Sequence, residues 1–251
     1  MFVRISASLA RPILISASVL FLSGCGTSAY EERVDKGMAT LRTAQQYLGI
    51  SPDAVEIPGS GFMIRLPKFI DGASKAYNEQ SAEPNGQGVV NPERLNPPFL
   101  KIPGLRVCYE AFGFDAQTNE SLGVYCYQAV LPAADAVVEG KPIEEWIQAQ
   151  LAKTFGDSAQ WTDVKLPTQA GPQVDWRQIN VKGMQNFFTQ SGAVKPSPGV
   201  FELYTKEMDG NRLLIGWRYP QKINHAAADN SRLSVGSITA AAPVNPAPAA
   251  N

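Results

Sequence analysis

A chain of 251 residues with 44% hydrophobic content is long enough to build one sizeable core with appendages. Its 22 basic residues are scattered among 23 acidic ones, for a formal net charge of -1, so no basic patch is available to neutralise phosphates and nucleic acid is excluded as a partner. The single histidine, His225, excludes multi-histidine metal ligation and removes the imidazole that Ser/His and Cys/His nucleophile systems lean on; it lies in a polar, Ala-rich stretch and reads as a surface residue.

The first twelve residues hold Arg4 and Arg11 and no acid, and Ile13 to Leu22 is an apolar run that leads into Leu22-Ser23-Gly24-Cys25. This is the charged, apolar and small-residue order of a secretory signal. The run is too short to cross a bilayer, which takes ~20 apolar residues, and no later run reaches that length. Leu22-Ser23-Gly24-Cys25 resembles the lipobox of bacterial lipoproteins. The resemblance implies a signal over 1–24, thioether diacylation of Cys25 by chains such as palmitate, cleavage before it, and acylation of the new terminus. Removing 1–24 takes away Arg4 and Arg11 and no acid, which changes the net charge from -1 to about -3. Gly26 stands where an Asp would retain such a protein at the inner membrane, so the outer membrane is the favoured location. The alternative is ordinary signal cleavage nearby, with Cys25 left as a free thiol.

Between residues 28 and 49 the apolar positions Tyr30, Val34, Met38, Leu41 and Leu48 recur every three to four residues and end at Gly49, the pattern of an amphipathic helix. With Cys25 this makes a tether over 25–56, either a stalk or a helix packed on the domain, and the apolar stripe favours packing. Gly61 to Leu66 alternates, with Phe62, Ile64 and Leu66 on one side, and predicts a half-buried strand. Residues 71–104 carry a string of turn formers and predict a long surface loop, whose final Pro97-Pro98-Phe99-Leu100 is able to dock on the core.

Residues 105–114 and 122–131 predict a β-hairpin around a polar turn at 115–121. A register in which residue numbers sum to 234 sets Leu105 against Ala129, Val107 against Tyr127 and Tyr109 against Tyr125 on one face. It sets Cys108 against Cys126 on the other. In an exported protein that pairing predicts a Cys108–Cys126 disulfide, with two buried free thiols as the alternative. Ile143, Trp146, Ile147, Leu151 and Phe155 share one side of a helix that begins at Pro142 and stops at Gly156. Glu144 and Glu145, in its first turn, suit the helix dipole and are not a catalytic pair. Strands are predicted over 161–166, 174–181, 184–190, 200–207 and 212–219, the last two joined by a turn at Asp209-Gly210 that sets Glu207 opposite Arg212 and Tyr204 opposite Ile215. A final helix over 224–239 uses Ala227, Leu233 and Ile238. The Ala/Pro tail over 240–251 is read as disordered.

This order predicts an α+β domain over 57–239, with helices flanking an antiparallel β-sheet. The opening strand Gly61 to Pro67, the long hairpin, the helix Ile143 to Phe155 and the hairpin from Glu202-Leu203-Tyr204 to Leu214-Ile215-Gly216-Trp217 together are similar to the PsbP-like α/β/α sandwich. That family includes Mog-type Ran-binding proteins and bacterial envelope lipoproteins. The resemblance runs from about Ile57 to Ile238, departs at 71–104, and implies binding or scaffolding without supplying site residues.

No catalytic constellation is found. Asp163 and Asp175 stand apart, Asp209-Gly210-Asn211 lacks the ligands of a calcium loop, and Gly59-Ser60-Gly61 and Gly86-Gln87-Gly88 lack the Lys-Ser/Thr ending of a phosphate loop. Phe187, Phe188, Trp161, Trp176 and Trp217 are assigned to the core. The expectation is a lipid-anchored envelope binding or scaffold module that is not an enzyme, needs no cofactor or metal, and meets the membrane and an envelope protein or glycan. The alternatives are an extracytoplasmic hydrolase using carboxylates and a carrier of an apolar ligand.

Overall fold

Most of the β-rich runs of the chain join a single antiparallel sheet. The computed structural model describes residues 30–38, 41, 45, 47–70, 75–77, 92–115, 119–156, 159–169, 171–223 and 227–241. Cys25, His225 and the tail beyond 241 lie outside these. The chain forms two compact units, Met1–Leu48 and Gly49–Asn251. In the first, residues 30–38 are helical (α1), with Lys36 paired to Glu32 at 2.7 Å one turn away.

The second unit begins with β1 (Val55–Ile57) and β2 (Phe62–Ile64), an antiparallel hairpin whose Ile57, Phe62 and Ile64 are buried. Next come β3 (Lys75–Tyr77) and a single helical turn, α2 (Pro92–Leu95), both inside the stretch read as a surface loop. The end of that stretch is core, because Leu100 and Ile102 are buried and Phe99 meets the rings of Phe155 and Phe201 edge-on at 4.8 and 5.3 Å. Residues 71–74 and 78–91 lie outside the described residues.

The long hairpin is β4 (Leu105–Asp115) with β5 (Glu120–Pro132). Two short strands, β6 (Val137–Val138) and β7 (Lys141–Pro142), deliver the chain to α3 (Ile143–Phe155). The helix has the predicted bounds: Pro142 precedes it and Gly156 ends it at φ 88°, a backbone angle that favours glycine. Then follow β8 (Trp161–Leu166), β9 (Val174–Phe188), β10 (Val194–Met208), β11 (Asn211–Pro220), α4 (Ala227–Gly236) and β12 (Thr239–Ala240).

Among the described residues seven strands form the main sheet, in the order β3-β4-β5-β11-β10-β9-β8, each pair antiparallel. The result is a β-rich α+β fold. One face is covered by α3 and residues 99–102, which bury Trp146, Ile147, Leu151 and Leu100 against Cys108, Tyr127, Phe201 and Leu203. The other face carries α4 together with a second sheet, β1-β2-β12, which places Ile57, Ile64 and Val235 over Val124, Cys126, Ile215 and Trp217. The layer expected to be helical on that side is therefore mixed, because the chain after α4 turns back and pairs Thr239 with Met63. The predicted last helix is correspondingly shorter, ending at Gly236.

Two runs predicted as separate strands, 174–181 and 184–190, are the one strand β9. Gly183 between them does not break it; the absent side chain makes room for the Phe155 ring, which would lie 3.0 Å from a Cβ there. The β10–β11 hairpin has the predicted register, with Glu207 opposite Arg212 and Tyr204 opposite Ile215. Asp209 and Gly210 have φ of 49° and 72°, both in the left-handed region that a tight two-residue hairpin turn requires.

The β4–β5 register corrects the expected one. Leu105 does face Ala129, but a bulge follows, and beyond it Val107 faces Gln128, Cys108 faces Tyr127 and Tyr109 faces Cys126. A one-residue shift sends every later side chain to the opposite face. Cys108 therefore enters the cluster under α3, while Cys126 enters the one under β2 and α4. The disulfide expected between them is not formed: both thiols are free and buried, separated by the sheet itself.

Candidate functional site

The start of α3 and the strands of the main sheet beside it enclose an open groove of about 540 Å³. Pro142 and Ile143 bring Glu144 and Glu145 to it from the helix, Gln148 adds an amide one turn on, and Trp161, Arg177 and Arg212 reach it from β8, β9 and β11. Glu144 organises the group. One of its oxygens accepts from Arg177 and the other from Arg212 at 3.0 Å, while its backbone carbonyl accepts from the indole N–H of Trp161 at 2.9 Å. Arg212 also meets Glu207 at 3.2 Å, and Arg177 meets Asp163 at 3.5 Å and lies 5.9 Å from the centre of the Trp161 ring.

This arrangement changes the reading of Glu144. Its place in the first turn does suit the helix dipole, but tertiary structure makes it the bridge between two guanidinium groups, with both carboxylate oxygens engaged. The two acids and two arginines lining the groove balance in charge. Planar polar groups and one indole remain toward solvent, which suits hydrogen bonding and stacking rather than proton transfer. Asp175 is not part of the group, standing opposite Lys165. Sequence reasoning missed Gln148, Arg177 and Arg212, and placed Trp161 in the core, where Trp176, Trp217, Phe187 and Phe188 are found. The spacing of Glu207 and Arg212 across their turn was the one available pointer.

No family model matches the chain, and no curated protein does.

Two further polar groups are buried on opposite faces of the sheet, and both serve the architecture. Glu202 accepts hydrogen bonds from Tyr204, Ser231 and Asn180, each at 3.0 Å, tying β10 to β9 and α4. On the α3 face Arg218 lies between the Tyr125 and Phe187 rings, 5.1 and 4.9 Å from their centres, and donates to Gln185 at 3.2 Å and to the carbonyl of Asn186. In the same row of the sheet Glu110 faces Tyr125 and accepts from Arg94 at 3.3 Å. Nothing in the local pattern of either strand announced a buried charge, since alternation alone does not tell a covered face from a wet one. No cluster of three His, Cys, Asp or Glu able to hold a metal occurs among the described residues.

Burial pushes the Cys126 thiol up from 9.0 to about 12, the amide of Gln128 opposing slightly. It raises Cys108 well above that ordinary value too, with the negative charges of Cys126 and Glu110 adding and Arg218 opposing. Both thiols are expected to resist a water-soluble aromatic disulfide reagent in the native protein at pH 8, and to react fully once the chain is unfolded. Fast reaction in the native state would contradict this burial. The sign of the linkage follows: the unfolded chain releases these protons near pH 9 while the folded one keeps them, so stability is intact below pH 9 and falls as pH rises toward 12. Tyr125, Tyr127, Tyr204 and Tyr219, all raised chiefly by burial, act in the same direction.

Proposed function

We propose that this protein is a lipid-anchored component of the bacterial cell envelope, acylated on Cys25, whose globular part is a non-enzymatic binding or scaffold module. The observation that carries the reading is Leu22-Ser23-Gly24-Cys25 placed directly after a short apolar run that follows Arg4 and Arg11. In this reading 1–24 is removed, 25–56 is the tether, 57–239 is the working domain and 240–251 is a tail. Gly26 favours the outer membrane. Two or more acyl chains hold firmly, since each buried methylene contributes ~0.8 kcal/mol. No helix among the described residues is long and apolar enough to cross a membrane, so in this reading the lipid supplies the anchor.

The finer assignment of the fold, a PsbP-like α/β/α sandwich, is part of the proposal. It is supported by α3 on one face of the sheet and α4 on the other, with the β1-β2-β12 sheet as a departure. The partner surface is the groove at the start of α3. Its balanced charge and its planar groups, Trp161, Gln148 and the two guanidiniums, favour a polar partner without strong charge, such as an envelope glycan or an exposed stretch of polypeptide. Both oxygens of Glu144 are engaged, which weighs against a hydrolase using Glu144 and Glu145 as an acid pair.

The test is a photo-crosslinking amino acid at position 148 of the full chain in intact cells. The expected result is a discrete adduct with an envelope component that is lost on Trp161→Ala. A protein that yields no adduct from 148 or from neighbouring groove positions would not be using this surface.

A further inference from the structure

We infer that α1 lies along the membrane surface with its apolar stripe turned into the lipid, so that the tether is a bilayer-bound element. The inference rests on the proposed acylation of Cys25 and extends it. Tyr30, Val34, Met38 and Leu41 are all exposed, by 43% to 69%. At 100° per residue Tyr30, Val34 and Met38 of α1 fall within an arc of about 80°, Glu32 and Lys36 lie on the opposite side, and Glu31 and Asp35 border the arc beyond Met38. α1 thus presents an exposed apolar stripe on one side, with most of its charged residues on the others.

Three observations point to lipid as the occupant. Only Gly26, Thr27, Ser28 and Ala29 separate Cys25 from the start of α1, so the helix begins within roughly 20 Å of the acylated sulfur even with that link fully extended. A tether that short gives the stripe a high effective concentration at the bilayer. Within α1 the apolar positions Tyr30, Val34 and Met38 recur every four residues, which departs from the 3.5 of a seam between two coiled helices. Tyr30, with an apolar ring and a polar tip, stands at the end nearest the anchor, where such side chains favour the headgroup level. Residues 30–38 carry three acids against Arg33 and Lys36, so charge does not draw the helix to anionic lipid, and the acyl anchor is what brings it there.

The test uses the full chain expressed in a bacterial host, purified from membranes and reconstituted into vesicles of phosphatidylethanolamine and phosphatidylglycerol. Intact mass reports whether Cys25 is acylated, and hydrogen exchange reports on the amides of 30–38. The double variant Val34→Glu, Leu41→Glu is the comparison. Glu is the better helix former than Val, so slower exchange in the parent chain would not come from intrinsic helicity. The expected result is acylated Cys25 with exchange about tenfold slower in the parent chain than in the double variant, and with the slowing retained in Lys36→Glu. Acylated Cys25 with equal exchange in parent and double variant overturns the inference and leaves the lipoprotein reading standing. Unmodified Cys25 with slowed exchange supports the helix placement and removes the lipoprotein reading. Unmodified Cys25 with equal exchange overturns both.

Discussion

Gly236→Ala is expected to be among the most destabilising single substitutions in this chain, costing about 3 kcal/mol. Gly236 closes α4, and a Cβ there would stand 2.1 Å from the carbonyl oxygen of Pro167 and 3.1 Å from its carbonyl carbon. Both are backbone atoms just past β8, so no side chain can rotate out of the way. Either α4 lifts from the sheet or the end of β8 gives way. Lifting α4 draws Ala227 and Val235 out of the cluster that holds Ile64, Leu166 and Trp217. For a unit of about 200 residues the cost corresponds to a melting point lower by roughly 6–12 °C, readable by circular dichroism. An unfolding free energy within about 0.5 kcal/mol of the parent would mean that α4 does not approach β8 this closely. Gly37→Ala, where nothing lies within 4 Å of the added Cβ, is the matched control and should not lower stability.

Cys25→Ser is expected to transfer the protein from the membrane to the soluble fraction, changing the ratio of the two by more than about tenfold. The lipidated chain should stay with membranes through washes of high salt and high pH, because the acyl chains are held by the hydrophobic effect and not by charge. A serine hydroxyl does not receive the thioether-linked lipid, and the stripe of α1 alone, lacking a net positive charge, is too weak to hold the domain. Retention of the variant in washed membranes would place the anchor elsewhere and remove the central support of the functional reading. Release of both parent and variant would show that the leader is an ordinary secretory signal. The measurement is sedimentation followed by immunoblotting.

The elements that were legible in sequence share one property: the information that specifies them is close in the chain. α3 is bounded by Pro142 and Gly156, and its buried Ile143, Trp146, Ile147 and Leu151 follow the helical period. The β10–β11 register follows from a two-residue turn, because a tight turn leaves only one way to pair the strands beside it. The β4–β5 hairpin was legible as a hairpin but not in register. Its turn is longer, β5 is buried on both faces from Gly123 to Val130 and so shows no alternation, and the bulge after Leu105 leaves no local mark. That single bulge separates Cys108 from Cys126.

The candidate site shows the same division. Glu144 and Glu145 were visible as acids at a helix start, and the proposed leader with Cys25 rests on linear sequence alone. The groove was not, because Arg177 and Arg212 lie 33 and 68 residues from the carboxylate they share. Local sequence therefore determined α3, the two long hairpins and the tight turn at Asp209-Gly210, and it motivates the proposed leader. Tertiary structure alone decided which strands are neighbours, which face each cysteine enters, that β12 returns to β2, and that Glu144 bridges two arginines. Period and turn chemistry act over a few residues, whereas sheet order and ion bridges depend on contacts between distant segments that exist only once the core has closed.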